Sequence, residues 1–482
     1  MKKTIYILTF MSALLFTTTS CEGFLNITPD GQAKRDELLS TQQGIEDAMY
    51  GVYSQLRSTT LYGQELHFQT LEVMAHNLYC DGNTSIEALG NFDYANTNVK
   101  SQFESIWTAM YKNISNVNSV LDAPLVAGAK EFPYTIYRGE ALGLRAFMHF
   151  DLVRLFAEQY TLNPTADGIP YSTEFSLKTP EFESLAKNYE HILADLLEAE
   201  SLLDNEEDYE GVGNYMFDRQ IHFNKYAVWA TLSRVYLTMG DKANAARYAL
   251  KVIDGSKCTL REKTKEHDLA GVLSETECIF GIYSKNFFAQ VYAKLQQTTT
   301  RYSLNVRHDY LDRYSKDKQG HDYREDDYFE MATVGSDKLV RLKKLTEYFE
   351  LNNMVESRPE HLILGINMIR LPEMYYIVAE TMLEENPAMA LEYYNKVRVH
   401  RGLEPLENTA IDENTGELVD RPLTLQHIND ERFKEYIGEG QLFFNMKRLN
   451  EPITSYDGAK TYEASKSVYV VPVPDIEKEN RY

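Results

Sequence analysis

The sequence predicts a mainly α-helical fold, a tetratricopeptide-like scaffold of paired helices that carries one irregular, loop-rich insertion. Residues 137–156 form a helix that is apolar on two sides, so other elements must surround it. Two helix pairs, at 224–253 and 372–401, carry small and apolar residues at the spacing of a tetratricopeptide repeat. The stretch 257–370 differs, with short β-like runs, many aromatic residues and clusters of charge.

The other helices are predicted from apolar residues that recur every three or four positions. The first begins after Ser40 or Thr41, because a hydroxyl side chain there caps the helix N-terminus. Segment 79–98 is predicted to be an exposed loop, since it is rich in Asn, Gly and aromatic residues. The tail, 468–482, has two prolines and alternating apolar residues, so we expect it to be extended. The additional predicted helices span 41–56, 66–78, 99–121, 185–203 and 423–449.

The N-terminus has the pattern of an export signal. Lys2 and Lys3 precede an apolar run, 5–16, and a small, polar stretch that ends at Cys21. A cysteine at the cleavage point resembles the lipobox of bacterial lipoproteins, in which the thiol is acylated and the cysteine becomes the new N-terminus. We therefore expect lipidation at Cys21 and attachment to the membrane through that lipid alone. The alternative is an ordinary secretory signal with a chance cysteine.

These patterns divide the chain into five parts. The first two are the signal and the tether, and the other three are predicted to form one compact unit from 41 to 482. The predicted parts are a lipoprotein signal peptide (1–20), a lipid-anchored tether (21–40), an N-terminal helical part (41–256), a loop-rich insertion (257–370) and a C-terminal part (371–482).

The charge balance makes nucleic acid an improbable partner. Lys plus Arg number 49 and Asp plus Glu number 72, so the formal net charge is −23. Such a surface repels phosphate backbones. The 34 tyrosines are suited instead to stacking on sugars or packing at interfaces, because each has a flat apolar face and a polar tip.

No catalytic constellation is recognisable in the sequence. A glycoside hydrolase needs two carboxylates at a fixed separation, and none of the 72 acidic residues is singled out as such a pair. The acidic run 322–327 is interpreted as solvated surface, and His149 as a hydrogen-bonded core residue. Cys80, Cys258 and Cys278 lack metal-ligand spacing, although Cys258 and Cys278 are candidates for a disulfide bond. We expect no enzyme activity, no metal and no cofactor.

A series of motifs stands in a characteristic order along the chain. They are Cys21 with Phe24-Leu25 and Pro29, then RGEALGLRAFMHFDLVRLF, NKYAVWATLSRVYLTMGD, AARYALKVID, IRLPEMYYIVAETMLE, YYNKVRVHRGL, INDERFKEYIGEGQLFFNMKRLN and VYVVPVPDIEKEN. In this order they resemble the SusD/RagB family, the surface lipoproteins of nutrient-uptake systems in Gram-negative outer membranes. The resemblance extends over essentially the whole mature chain. Gln441 stands where the family commonly has Arg, and Asn445 where it has Asp, a departure that removes one internal ion pair.

The resemblance implies a lipid-anchored, cell-surface protein of the outer membrane that forms the lid of a TonB-dependent (SusC-like) transporter barrel. Such a protein captures an oligosaccharide, or in some members a peptide, and releases it into the barrel without performing chemistry. The alternatives are a peptide-binding lid of the same architecture and a tetratricopeptide-like periplasmic scaffold that binds only proteins.

Two loops are predicted to contact the ligand, because aromatic faces stack on sugars and carboxylate or amide groups bond hydroxyls. Known members of the family place part of their site in the first region. The candidates are Tyr79, Asp81, Asn83, Phe92 and Tyr94 in the first loop, and Tyr283, Phe287 and Phe288 in the second. A further set, at helical spacing, is interpreted as a structural ion network: Glu431, Arg432, Glu435, Glu439 and Arg448.

Overall fold

A computed structural model of the protein describes most of the chain beyond residue 34. Cys21 and the predicted signal peptide lie outside the described residues, so lipidation stays a prediction. Across the part that is described, no helix is both long and apolar enough to cross a bilayer. The described residues are 35–262, 273–274, 276–295, 303–315, 320–334, 337–345, 363–411 and 417–479.

Helices dominate these residues, which confirms the predicted mainly α class. They are α1 (Gln42–Leu56), α2 (Thr70–Met74), α3 (Thr84–Gly90), α4 (Thr97–Leu121), α5 (Tyr134–Phe156), α6 (Leu185–Leu202), α7 (Lys225–Met239), α8 (Lys242–Gly255), α9 (Phe287–Leu295), α10 (Tyr310–Ser315), α11 (Arg324–Tyr328), α12 (Leu371–Thr381), α13 (Pro387–His400), α14 (Leu425–Tyr436), α15 (Leu442–Leu449), α16 (Lys466–Tyr469) and α17 (Asp475–Glu479).

The strands are short and pair only two at a time, always antiparallel. The pairs are β1 (Leu78–Tyr79) with β5 (Asn305–Val306), β2 (Asp167–Pro170) with β3 (Phe182–Ser184), β4 (Cys278–Tyr283) with β8 (Gly365–Arg370), β6 (Phe329–Val334) with β7 (Asp337–Leu342), β9 (Thr409–Ile411) with β10 (Leu418–Asp420), and β11 (Ile453–Thr454) with β12 (Thr461–Tyr462).

Helix α5 is the central helix that its apolar sequence predicts. It begins at Tyr134, a little earlier than predicted, and almost all of its residues are buried. Other segments of the protein approach helix α5 closely at its glycines. A Cβ on Gly139 would lie 2.7 Å from Leu203 Cγ, and one on Gly143 would lie 2.5 Å from Phe223 Cδ1. Such contacts keep a helix tightly surrounded.

The helices pack as successive pairs, and α5 belongs to the first of them. Helix α5 packs on α6, α7 on α8, and α12 on α13, while α6 contacts α7 and α8 contacts α12, so the pairs form one continuous row. Helices α1 and α4 pack on each other and on α5 at the start of the row. One hydrophobic core runs through the row, from Leu39 to Val471.

Three predicted elements are wrong in their extent. The helix predicted at 66–78 is only α2, and it ends before His76, whose φ of 54° is left-handed. The long helix predicted at 423–449 is two helices, α14 and α15, because Gly438 and Gly440 take φ values of +81° and +69° between them. The tail is not wholly extended, since it contains the short helices α16 and α17.

The predicted exposed loop at 79–98 is also wrong. It contains helix α3, and the side-chain oxygen of Asn83 caps that helix by accepting from the Ser85 and Ile86 N–H groups, each at 3.2 Å. Phe92 is buried in the core. The segment is therefore a folded part of the core with an exposed edge.

The described part of segment 257–370 is joined to the scaffold by strand pairing and by buried charge. Strand β4, predicted from ECIFGIY, pairs with β8, which leads directly into α12. Asp322, predicted to be solvated, is instead fully buried against Arg324 at 2.7 Å. The candidate disulfide bond between Cys258 and Cys278 is not formed, and Cys258 Sγ instead donates to the Cys278 carbonyl oxygen at 3.4 Å.

The ion network predicted on 431–448 exists, and it is buried. Glu435 accepts hydrogen bonds from Arg324, Arg370 and Arg401 at 2.7 to 3.0 Å. Glu431 accepts from Arg324 at 2.6 Å. The arginines come from three separate parts of the chain, so the network joins the middle segment to the C-terminal helices.

Candidate functional site

A cavity of about 310 Å³ lies where the start of the first predicted loop meets the hairpin β11–β12. We call it the aromatic cavity. Its lining includes Tyr79, Tyr456, Tyr462 and His76, together with the charged residues Asp81, Glu87, Asp457 and Lys460 at or near its rim. A small cavity of this kind, with flat apolar surfaces and a few polar groups, is the usual form of a ligand site.

The hairpin tip holds Tyr456 in place through a dense local turn. Asp457 Oδ1 accepts from the Ser455 hydroxyl at 2.6 Å and from the Ala459 N–H at 3.0 Å. Gly458 follows with φ of +73°, a conformation that glycine adopts without strain. The Ser455 hydroxyl bond also lowers the pKa of Asp457, so this carboxylate is charged at neutral pH.

Tyr79 and Tyr456 form a stacked pair across this junction. Their ring centroids are 4.0 Å apart and their planes differ by 5°. His308 stands edge-on to both rings, with its Nε2 3.0 Å from Tyr79 Oη. Burial, then the nearby Asp81, raise the pKa of Tyr79 to about 12, so its hydroxyl stays protonated. Tyr79 is buried and Tyr456 is half-buried, so the solvent-accessible surface of the pair belongs mainly to Tyr456.

His76 and Tyr462 form a second stack, with centroids 5.2 Å apart and planes 21° apart, and the His76 ring also lies 6.3 Å from the Tyr456 ring, with planes 20° apart. His76 Nε2 lies 2.9 Å from the Gly90 carbonyl oxygen, and burial lowers the pKa of His76 to about 4. The imidazole is therefore neutral at pH 7. Phe92 stands edge-on to Tyr462 at 5.0 Å.

The backbone at this cavity is strained. Among the described residues other than glycine, positive φ values occur at four positions, and two of these are His76 at 54° and Phe92 at 57°. Phenylalanine rarely adopts this conformation, histidine does so more often, and the cost is about 1–3 kcal/mol. His76 lines the cavity and Phe92 packs on Tyr462, so the strained positions belong to the wall of the cavity and its support.

A polar crevice of about 500 Å³ adjoins the aromatic cavity, and Cys80 and Ile86 belong to the walls of both. Its lining is rich in uncharged polar side chains, among them Asn98 and Gln102. Glu65 organises its floor, where it accepts from Gln102 Nε2 at 2.6 Å. Amide and hydroxyl groups in such an array are suited to bonding sugar hydroxyls.

A larger cavity of about 580 Å³ lies near the N-terminus of α7. Its cations pair with its own carboxylates: Arg219 with Glu206 at 2.8 Å, and Lys257 with Glu210 at 2.7 Å. Its lining includes Leu273, the first described residue after position 262. The stacked rings favour the aromatic cavity as the candidate site, whereas positive φ does not separate the two cavities, because Asp218, with φ of 50°, lines the larger one.

The structure brings part of the first predicted set to the aromatic cavity. Tyr79 lines it, Asp81 accepts from the Tyr456 hydroxyl at 3.4 Å, and Phe92 supports Tyr462. Asn83 lines the polar crevice while it caps α3.

Other predicted residues lie elsewhere. Tyr94 donates to the Val468 carbonyl oxygen at 2.7 Å. Phe287 and Phe288 are buried on the apolar side of the amphipathic helix α9, where Phe287 packs on Phe68, so they are not loop residues as predicted. Tyr283 is 37% exposed at the end of β4.

The sequence pattern does not identify Tyr456, Tyr462 or His308 as residues of this cavity. Tyr456 directly precedes Asp457-Gly458 and Tyr462 follows four positions after Gly458, and an Asp-Gly pair is a turn signal typical of hairpins. That signal identifies the hairpin, although not its contact with Tyr79. Within the described residues, no three His, Cys, Asp or Glu side chains are grouped as metal ligands.

Family models match both halves of the chain. One described as "Starch-binding associating with outer membrane" matches residues 23–237, and one described as "SusD family" matches residues 275–481. The chain is also 24% identical, over 520 aligned positions that cover 96% of each protein, to SusD-like protein P2 of Formosa agariphila.

Solved structures share the fold. A SusD superfamily protein from Bacteroides thetaiotaomicron has a TM-score of 0.71 at 21% identity, over 91% of this chain and 98% of that one. Surface glycan-binding protein A from Bacteroides thetaiotaomicron, in complex with laminarihexaose, has a TM-score of 0.66 at 16% identity, over 91% of this chain and 97% of that one.

Proposed function

Because the chain belongs to the SusD/RagB family, we propose that it captures an oligosaccharide at the cell surface and delivers it to a TonB-dependent outer-membrane transporter, acting as its lid. The descriptions of the matched family and the laminarihexaose complex of a structural neighbour support a glycan as ligand. The observation in this chain that carries the proposal is the aromatic cavity with its stacked tyrosines.

The cavity is suited to a sugar in three ways. The half-buried ring of Tyr456 supplies apolar surface for the C–H face of a pyranose, whereas the Tyr462 ring already contacts His76 and the Lys460 ammonium, whose Nζ lies 4.0 Å from the ring centroid. Asp81 and Asp457 are exposed beside them and can accept from sugar hydroxyls. The adjoining polar crevice offers room for further residues of the glycan, so an oligosaccharide fits better than a monosaccharide.

A binding screen tests the proposal and separates it from the peptide-binding alternative. We expect at least one neutral oligosaccharide to bind, and a matched polyuronate of the same length to bind about tenfold more weakly at low salt. Asp81, Glu87 and Asp457 carry three negative charges against the single positive charge of Lys460, and the repulsion is screened as salt rises. Peptides that co-purify or bind while every glycan fails would contradict an oligosaccharide ligand.

The lipid anchor is tested by Cys21→Ala. The expected result is release of the protein from the membrane fraction into the soluble fraction, because several acyl chains, at about 0.8 kcal/mol per buried CH₂, would be lost. Fractionation followed by immunoblotting measures it, with Cys80→Ala as the matched control that should stay with the membrane. A Cys21→Ala protein that remains membrane-bound would rule out lipidation at this position.

A further inference from the structure

The loop that joins β2 to β3 has a rigidly held base. Arg145 of helix α5 donates from Nη1 to the Thr173 carbonyl oxygen at 3.1 Å. His149, one turn further on, accepts the Ser172 N–H at its Nε2, at 3.1 Å. Its Nδ1 donates to the Arg145 carbonyl oxygen at 2.9 Å, which fixes the tautomer. Burial lowers the pKa of His149 to about 3, so the ring stays neutral and Nε2 stays an acceptor.

Helix α4 holds the same base from the other side. Asn118 donates from Nδ2 to the carbonyl oxygens of Ser172 at 3.1 Å and Glu174 at 3.3 Å. Asp122 Oδ2 accepts the Phe175 N–H at 3.0 Å. The loop is therefore fastened by hydrogen bonds from Ser172 to Phe175, and its tip projects from this base.

The tip is apolar and exposed. Leu177 has its whole side chain in solvent, the largest exposure of any large apolar residue in the described part of the chain, and Phe175 is 43% exposed. Ser176 and Lys178, also exposed, complete the tip. Two exposed apolar side chains on a rigid loop carry an unfavourable hydration cost that a covering surface would remove.

The same tip lies beside the point at which the chain enters the fold. Arg35, the first described residue, places its guanidinium over the Phe175 ring at 4.3 Å from the centroid. It also donates to the Ser119 hydroxyl at 2.6 Å and to the Ser119 carbonyl oxygen at 3.1 Å. From Cys21 to Arg35 is 35 − 21 = 14 residues, which can span at most about 50 Å even when fully extended.

We propose that the loop tip, Phe175 to Lys178, inserts into the lipid surface to which the chain is anchored. The inference rests on the proposed lipidation of Cys21, because that lipid would hold the entry point of the chain, and with it Phe175, within reach of the bilayer. Apolar side chains flanked by a lysine suit the boundary between acyl chains and headgroups. The rigid base then makes the tip a second contact that sets the orientation of the whole scaffold on the membrane.

The test uses the full-length lipidated protein in phospholipid vesicles that contain nitroxide-labelled lipid. An environment-sensitive fluorophore is attached to Leu177→Cys, and the unsubstituted chain measures background labelling of the native thiols. The matched control is Leu418→Cys, a leucine that is 70% exposed on the β9–β10 hairpin. We expect a blue shift and at least threefold stronger lipid quenching at position 177 than at position 418.

Equal quenching at the two positions, or an aqueous spectrum at position 177, would overturn the inference. A blue shift that appears only when other outer-membrane proteins are added, without quenching by the labelled lipid, would also overturn the inference. It would indicate that the loop tip contacts a protein surface instead. Sedimentation with the vesicles is measured in the same samples. Sedimentation without quenching leaves the lipid anchor intact and rejects only the loop contact, whereas failure to sediment rejects the anchor and the loop contact together.

Discussion

Glu435→Gln is expected to lower the free energy of unfolding by about 3–5 kcal/mol, the usual cost of breaking a buried ion pair from one side. Glu435 has no solvent exposure and neutralises Arg324, Arg370 and Arg401. Glutamine keeps the shape of the side chain and one acceptor oxygen, but it removes the charge. Three buried guanidinium groups would then share fewer acceptors and less negative charge.

Denaturant unfolding of the wild type and the variant measures this effect. The matched control is Glu392→Gln, which removes an exposed carboxylate that lies 2.7 Å from Lys396 on α13. Such exposed pairs contribute about 0.5 kcal/mol, so this control should be close to wild type. A Glu435→Gln protein as stable as the control would show that the network does not hold the middle segment to the C-terminal helices.

The same network predicts how stability depends on pH. Burial by itself would raise the pKa of Glu431, but Lys434, Arg324 and Arg398 outweigh it and lower the pKa to about 2. The pKa of Glu435 is likewise held well below its usual range by Arg401, Arg370 and Arg324. Because the folded pKa lies below the unfolded one, the stabilisation is fully present above about pH 5 and is lost as pH falls toward 2.

The sequence is most informative about elements whose cause is local. Apolar periodicity predicts α5 and the helix pairs, because each helix buries its own stripe of residues. The acidic members of the ion network, Glu431 and Glu435, are also visible as a helical pattern. Their partners, Arg324 and Arg370, are not, because they come from segments about 60 to 110 residues away in the chain.

The candidate site shows the same division. The sequence predicts Tyr79 and Asp81 as site residues because their segment is rich in aromatic and polar residues. Their partner Tyr456 lies 375 positions after Asp81 in the chain, and only the fold brings the two within 3.4 Å. The prediction that Phe287 and Phe288 lie in a loop is wrong, since a short amphipathic helix among irregular segments resembles an aromatic loop in sequence.

Tyr456→Ala is expected to weaken oligosaccharide binding by about 30-fold, which corresponds to about 2 kcal/mol, as for an aromatic residue at the centre of a binding site. Tyr456 is half-buried at a hairpin tip, so its removal leaves the helical core intact. The substitution removes the ring face that the sugar contacts. It also removes the ring that stacks on Tyr79, with centroids 4.0 Å apart.

Two matched variants show whether the effect belongs to the cavity. Tyr50→Ala removes a tyrosine that is 42% exposed on α1, and Tyr283→Ala removes one that is 37% exposed at the end of β4. Neither residue lines the aromatic cavity, so both proteins should bind the glycan as the wild type does.

The most direct measurement is calorimetric titration of the wild type, Tyr456→Ala, Tyr50→Ala and Tyr283→Ala with the neutral oligosaccharide that binds best in the screen. Circular dichroism and thermal unfolding of each protein confirm that it is folded. The predicted result is a loss of about 30-fold in affinity for Tyr456→Ala alone. Wild-type affinity in Tyr456→Ala, or a comparable loss in Tyr283→Ala, would contradict glycan capture at the aromatic cavity.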